Sequence, residues 1–352
     1  MLASEGSKTA FPIASATKLM TYYVAAEKLR PNREVVVAPY DAAPGESLAG
    51  LEAGDSLTTR DVLYSLIVAS GNDAAATLAL AVAGSEPDFV ARMNAAADNL
   101  ELSETEYSDP IGLSSDNVSS ASDLVDLAVE LKEQSLFQKI VDTPRITLGS
   151  GAEPLRLENR NTLVLEEPFM NGVKTGTTVE AGYVLVGSGR KKGVDLVSAV
   201  LGAPDAASRD AATLSLFDYG FSLYRERTLV ERGERVGSVP LADGTGSLPL
   251  RSSAKVMEVA RDDQRVDFQL NVMAPLEAPI AEGEAVGNAA VRLDGRRVGE
   301  VEALAARAVA APPAADEGGS LPGWAWLVFG VAGAAALLLA SLAVASRGGE
   351  PR

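Results

Sequence analysis

Residues 11–24, FPIASATKLMTYYV, place Ser15 and Lys18 three positions apart where an apolar helical stretch begins. On a helix, residues i and i+3 share a face about 5–6 Å apart at Cβ, so the lysine reaches the serine hydroxyl. A serine in the first turn also stands in the positive field of the helix N-terminus, which favours an alkoxide-like nucleophile. The chain contains no histidine and no cysteine. That excludes a Ser-His-Asp triad, thiol catalysis, disulfides and the HExxH metal sites. Any base must be Lys, Asp, Glu or Tyr, and Lys18 is the candidate. To serve as base it must be neutral, and burial and a second nearby cation would both depress its pKa.

Two more short motifs bear on that requirement. Ser70-Gly71-Asn72 follows the apolar helix DVLYSLIVA and precedes another helix, so it occupies a tight interhelical turn able to aim a hydroxyl and an amide into a cleft. Taken alone it reads as an ordinary N-cap with a glycine turn. Lys174-Thr175-Gly176 stands just before a hairpin, in NGVKTGTTVEAGYVLV. Lys174 would be the second cation, Thr175 offers a hydroxyl to a carboxylate, and Gly176 would let a substrate backbone approach a strand edge closely. Tyr183 could act as a surrogate base, although a strand tyrosine reads first as core. Each motif alone is common; the three in this order are specific.

Around these motifs the chain divides by composition. Residues 1–225 mix both element types, with helix-like stretches over 15–29, 59–68, 73–83, 87–99, 122–133 and 208–219. YVLVGSGRKKGVDLVSAVLG (183–202) carries two apolar runs around a Gly- and Lys-rich turn, a hairpin signal. The expected fold class is α/β (α+β): an antiparallel sheet flanked by helices. Residues 226–308 read as a small all-β domain of short strands. A turn-plus-valine unit recurs there at 233–237, 283–287 and 295–299, and VDFQLNV (266–272) alternates. This region holds no candidate catalytic cluster and reads as a spacer or docking module. Residues 309–323 form a Pro/Gly/Ala linker. From Trp324 to Ala345 the chain carries no charge, long enough for a transmembrane helix across a hydrocarbon core of roughly 30 Å. Asp316 and Glu317 precede the span and Arg347 and Arg352 follow it, so 346–352 is expected as a cytoplasmic tail, with the rest outside. An exported domain needs a signal sequence, and MLASEGSKTAFP is too polar and short to be one, which points to a start upstream of Met1. The net charge of −17 argues against nucleic-acid binding.

The series S-x-x-K, S-x-N, K-T-G belongs with the motif set of penicillin-binding proteins and class A β-lactamases. With PIASATKLMT, SGNDAA, SDPIGLS (108–114), NGVKTGTTVEAGY and VLGAP (200–204), the chain resembles the low-molecular-mass penicillin-binding proteins, the serine D-alanyl-D-alanine carboxypeptidases of peptidase family S11. The resemblance runs over almost the whole chain, and a C-terminal β-domain and membrane anchor are typical of that family.

What the resemblance implies is a β-lactamase/transpeptidase-like fold and a two-step reaction on a peptidoglycan stem peptide. Ser15 attacks the carbonyl between the last two D-alanines while Lys18 takes its proton. The N–H groups of Ser15 and Thr177 form an oxyanion hole, a device worth roughly 3–4 kcal/mol per donor. Ser70 and Lys174 relay a proton to the departing D-Ala, Asn72 orients the substrate amide and Lys18, and Lys174, Thr175, Gly176 and Thr177 hold the terminal carboxylate. Water then releases the acyl group; β-lactams acylate Ser15 as inhibitors. No cofactor and no metal are needed, and the implied setting is a bacterial cell membrane with the catalytic domain outside.

The chain departs from the family at three places. Only fourteen residues precede Ser15, where the family has a signal peptide and strands. Thr177 stands where many relatives have His, and Asn171 where many have Asp, which points to an altered substrate preference. The rival readings are a β-lactamase-like hydrolase, a D,D-endopeptidase, and an inactive membrane-tethered peptidoglycan-binding protein. A β-lactamase would need a deacylating E-x-x-x-N loop, absent between Ser103 and Pro144.

Overall fold

The structure, a computed structural model, describes residues 1–311. Within them the chain forms, in order, β1 (Phe11–Pro12), a 3-10 turn (Ala14–Thr17), α1 (Lys18–Lys28), β2 (Glu34–Val36), β3 (Ser56–Thr58), α2 (Thr59–Ile67), α3 (Asn72–Ala83) and α4 (Glu86–Asn99). Next come β4 (Val118–Ser119), α5 (Ala121–Lys132), α6 (Ser135–Val141), β5 (Arg145–Thr147), β6 (Arg156–Glu158) and α7 (Leu163–Glu166). The sequence then runs β7 (Met170–Thr178), β8 (Gly182–Lys191), β9 (Val194–Ala203), α8 (Ala206–Ser222) and β10 (Arg225–Val230). Strands β11 (Arg235–Pro240), β12 (Ser247–Ser252), β13 (Val256–Ala260), β14 (Val266–Val272), β15 (Ala285–Leu293) and β16 (Arg296–Ala305) complete it. The 324–345 span, the 346–352 tail and the linker beyond residue 311 lie outside the described residues. Among the described residues no helix is long and apolar enough to cross a membrane.

Helix starts follow local chemistry. Thr58, Ser85, Ser120 and Asp205 cap α2, α4, α5 and α8, each accepting from the backbone N–H three residues on. A cap of this kind is worth about 1 kcal/mol. Helix α1 is different: Leu19, Met20, Thr21, Tyr22, Val24 and Ala25 are all buried with Lys18, so it runs through the core rather than over it.

Strands β7, β8 and β9 form an antiparallel sheet in that order, with β8 central. Alternation along β8 and β9 separates two apolar faces. Leu185 and Leu196 join Phe217 and Phe221 of α8 in one cluster, while Val184, Val186, Val197 and Ala199 face the large core that contains α1. Fully burying one such side chain is worth about 1.5–3 kcal/mol. Helices thus cover both faces of the sheet, and β7 is left as an edge. The 3-10 turn packs against β7 and β8, so the turn that carries Ser15, just ahead of α1, meets that edge.

The chain separates into two compact units. The first is Met1–Leu229 with Met257–Arg265, and the second is Val230–Val256 with the described part of Val266–Arg352. The division is therefore not a single cut, because β10 pairs with β13 and both fall mainly in the first unit. The second unit is a five-stranded antiparallel sheet, ordered β11-β12-β16-β15-β14.

Candidate active site

Ser15 lies on the 3-10 turn, half-buried, one residue after Ala14 at φ 47. The helix expected from residue 15 therefore becomes α-helical only at Lys18. Lys18 is fully buried, and its Nζ has three partners: Ser15 Oγ at 3.0 Å, Asn72 Oδ1 at 2.8 Å and the Ile111 carbonyl at 2.7 Å. Two of these can only accept. An ammonium donates to all three; a neutral amine donates to Asn72 and Ile111 and turns its lone pair to the Ser15 hydroxyl. The geometry suits either state without rearrangement.

Burial lowers the Lys18 pKa to about 7, against the opposing pull of Asp109, Asp73 and Glu46. Lys174, expected as the second cation, is not among the charges acting on Lys18, although Lys18 is among those acting on Lys174. Lys174 is itself fully buried, its Nζ donating to Ser70 Oγ at 2.9 Å and to the Thr175 carbonyl at 2.8 Å. Burial first, then the positive charges of Lys18, Arg160 and Arg209, push it well below the ordinary lysine value. No carboxylate is among the charges acting on Lys174, whereas three act on Lys18.

Ser70 is buried at φ 58 in the left-handed region, which costs a non-glycine residue about 1–2 kcal/mol. That strained turn aims its hydroxyl at Lys174. Thr175 is 9% exposed, and Thr177 is exposed further along the β7 edge. Gly176 has a different reason from the one expected. A Cβ there would meet the Ile13 carbonyl at 2.8 Å and the Ser15 nitrogen at 3.0 Å, so the close approach is by the chain's own serine turn. Tyr183 pairs with Thr177 across the ladder, half-buried. Asn171 Oδ1 accepts from Lys132 Nζ at 3.3 Å and Ser188 Oγ at 2.6 Å.

Several residues that shape the site have no role assigned from the sequence, although Asp109 falls within SDPIGLS and Asp73 within SGNDAA. Asp109 accepts from the N–H groups of Ile111, Gly112 and Ser114 and from Asn117 Nδ2, which folds the SDPIGLS loop so that the Ile111 carbonyl reaches Lys18. Thr21 of α1 ties down the same loop by donating to the Pro110 carbonyl at 2.6 Å. Asp73 accepts from the N–H groups of Ala49, Gly50 and Leu51 at 2.9–3.0 Å. Glu46 accepts from Asn72 Nδ2 at 2.8 Å and from the Tyr40 hydroxyl. The bonds of Asp109 within its loop and of Tyr40 to Glu46 are local, but the bonds that join these segments to one another link residues 22 to 93 apart in sequence, which is why local pattern could not show them.

A serine–lysine pair buried where a helical layer meets the edge of an antiparallel sheet defines a class, the β-lactamase/transpeptidase-like proteins. The chain belongs to the D-alanyl-D-alanine carboxypeptidase family of serine peptidases, S11, whose sequence pattern matches residues 1–205. The pattern of the penicillin-binding protein 5 C-terminal domain matches residues 224–311. The D-alanyl-D-alanine carboxypeptidase DacF of Bacillus subtilis is 31% identical over 314 residues, covering 85% of this chain and 80% of its own length. DacB2 of Mycobacterium tuberculosis is 33% identical over 232 residues, or 63% of this chain and 78% of that protein. Among solved structures, the Streptomyces K15 DD-transpeptidase aligns with a TM-score of 0.60 at 30% identity, over 63% of this chain and 92% of its own. Penicillin binding protein 5 from Haemophilus influenzae aligns at 0.60 and 25% identity, over 88% and 93%.

Proposed function

We propose that this chain is a serine D-Ala-D-Ala carboxypeptidase that trims the terminal D-Ala from peptidoglycan stem pentapeptides through an acyl-enzyme on Ser15. The observation that carries this is Lys18: buried, 3.0 Å from Ser15 Oγ, with its other two bonds taken by pure acceptors and a pKa near 7. A lysine with such a pKa is substantially neutral at physiological pH, which makes it a competent general base where histidine is absent.

In the first step Lys18 takes the Ser15 proton as Oγ bonds to the carbonyl carbon, and the N–H groups of Ser15 and Thr177 hold the developing oxyanion. The C–N bond then breaks, and a proton passed through Ser70 and Lys174 leaves with D-Ala. Asn72 orients Lys18 and the substrate amide. Thr175, Gly176 and Thr177 receive the terminal carboxylate. The approach of that anion opposes the burial that lowers the Lys174 pKa and favours its charged form. Water releases the acyl group, and a β-lactam stalls at the same serine.

We assign catalysis to a domain spanning 1–225 and a spacer or docking role to 226–308. The uncharged 324–345 run would anchor the chain, with the catalytic domain on the outer side of a bacterial membrane, where peptidoglycan lies. The relatives' names favour carboxypeptidase over β-lactamase or endopeptidase.

Release of D-Ala from a peptide ending in D-Ala-D-Ala tests the activity, and its pH profile tests the base. Lys18 works only when neutral, so kcat/KM rises with pH through about 7. A profile flat from pH 5 to 9 would contradict that assignment.

A further inference from the structure

Glu46 carries no motif, yet its carboxylate ends a hydrogen-bonded chain that begins at the base. Its Oε2 accepts from Asn72 Nδ2 at 2.8 Å and from the Tyr40 hydroxyl, and its Oε1 accepts from the Ala43 N–H at 3.0 Å. On the other side of the amide, Asn72 Oδ1 accepts from Lys18 Nζ at 2.8 Å. The two ends of an asparagine amide are nearly the same shape, but only the nitrogen can donate to a carboxylate. Glu46 therefore dictates which end faces the lysine. A flipped amide would set an NH₂ group against Nζ, donor against donor.

The position of Glu46 is built rather than incidental. The Asn72 N–H donates to the Ser47 carbonyl at 2.8 Å, and the three N–H groups held by Asp73 follow directly in the same segment. The loop that carries Glu46 is thus stitched to the start of α3, which carries Asn72.

We propose that Glu46 is a positioning residue for acylation: it fixes the Asn72 amide, and through it places the Lys18 Nζ against Ser15 Oγ. This rests on the reading of Ser15 as nucleophile and Lys18 as base. A role for Glu46 as the base that activates water is disfavoured by its partners. Burial alone would raise its pKa, but the bonds from Tyr40, Asn72 and Ala43 and the charge of Lys18 outweigh that and hold it below the usual range.

Charge provides a second readout. Asp109, Asp73 and Glu46 act on Lys18 to hold its proton, and Lys174 is the cation coupled to it. Removing the Glu46 charge releases part of that hold, so Lys18 deprotonates at lower pH.

The test is acylation by a fluorescent penicillin, measured on the full chain in detergent from pH 5 to 9, for wild type, Glu46→Gln and Glu46→Leu. Gln keeps an acceptor for Asn72 but loses the charge. Its plateau rate stays within about threefold of wild type, while its acid limb moves to lower pH. Leu loses both, and its plateau falls about 10- to 100-fold, as expected for leaving a buried amide unpaired. If the Leu variant does not fold, the limb shift of the Gln variant decides alone. Wild-type rates and an unmoved limb in both variants would overturn the proposal. So would a Gln variant that acylates normally but never releases its adduct, which would make Glu46 the hydrolytic base. Wild type that does not acylate at all overturns the Ser15–Lys18 reading itself, and the proposal with it.

Discussion

Replacing Lys18 with alanine lowers the rate of acylation by a β-lactam by roughly 10³- to 10⁴-fold, the upper part of the range a general base supplies. The upper part applies because, among the described residues, Lys18 is the titratable side chain hydrogen-bonded to Ser15 Oγ. The other buried lysine, Lys174, is committed to Ser70 and the Thr175 carbonyl. The residual rate should also lose its rise through pH 7, since the titrating group is gone. Rapid-mixing acylation across pH checks both. A variant within tenfold of wild type, or one that keeps the limb near pH 7, would remove Lys18 from the base role. Folding stability carries a matching pH dependence. The folded pKa of Lys18, about 7, lies below its ordinary 10.5. Between those values the unfolded chain binds more protons, so this group makes stability rise with pH across that window.

Gly112→Ala should be the most damaging single-methyl change in the catalytic unit. Gly112 has φ 92, and a Cβ there would lie 2.0 Å from the Ala14 carbonyl oxygen and 2.5 Å from its carbon. Both obstacles are backbone, so no side chain can swing aside. Adding overpacking of about 1–3 kcal/mol to a left-handed penalty of about 1–2 gives roughly 3 kcal/mol or more. For a unit of this size that is a fall in Tm of roughly 6–12 °C. Activity should suffer beyond stability, because Ala14 precedes the nucleophile and Ile111, next to the substituted residue, supplies a carbonyl to Lys18. Differential scanning calorimetry with penicillin acylation at 20 °C tests this. A variant with unchanged Tm and acylation would mean the loop and the serine turn move apart freely.

How far the sequence alone reached depends on the range of the interactions concerned. The S-x-x-K spacing put a lysine on a serine because three residues along one turn is a local distance. The hairpin at 183–202 was legible from its two apolar runs, and the observed turn at Lys192-Gly193, both at positive φ, is where the Gly- and Lys-rich segment fell. The recurring turn-plus-valine unit also had a local cause. In its first two copies Gly237 and Gly287 stand where the strand registers shift, so each unit is a turn followed by a bulge.

Asp109, Asp73 and Glu46 could not be read that way. A carboxylate that folds a loop by accepting several backbone N–H groups leaves no spacing rule in the sequence, only an acidic residue among polar neighbours. Lys18 shows the same limit in its energetics. Its lowered pKa is expected from burial and a neighbouring cation together; burial is the largest cause, and burial is a property of the assembled helices α1 and α3 and the 108–114 loop. At Gly176 the backbone that a Cβ would meet is that of Ile13 and Ser15, a contact made by residues more than 160 positions away in sequence.

The central claim is that Ser15, activated by Lys18, is the acylated residue. Its most direct test is the intact mass of the full chain in detergent after incubation with penicillin, for wild type and Ser15→Ala. A β-lactam adds by ring opening with nothing lost, so wild type should gain one inhibitor mass and Ser15→Ala should gain none. An adduct on Ser15→Ala, or no adduct on wild type, would contradict the account.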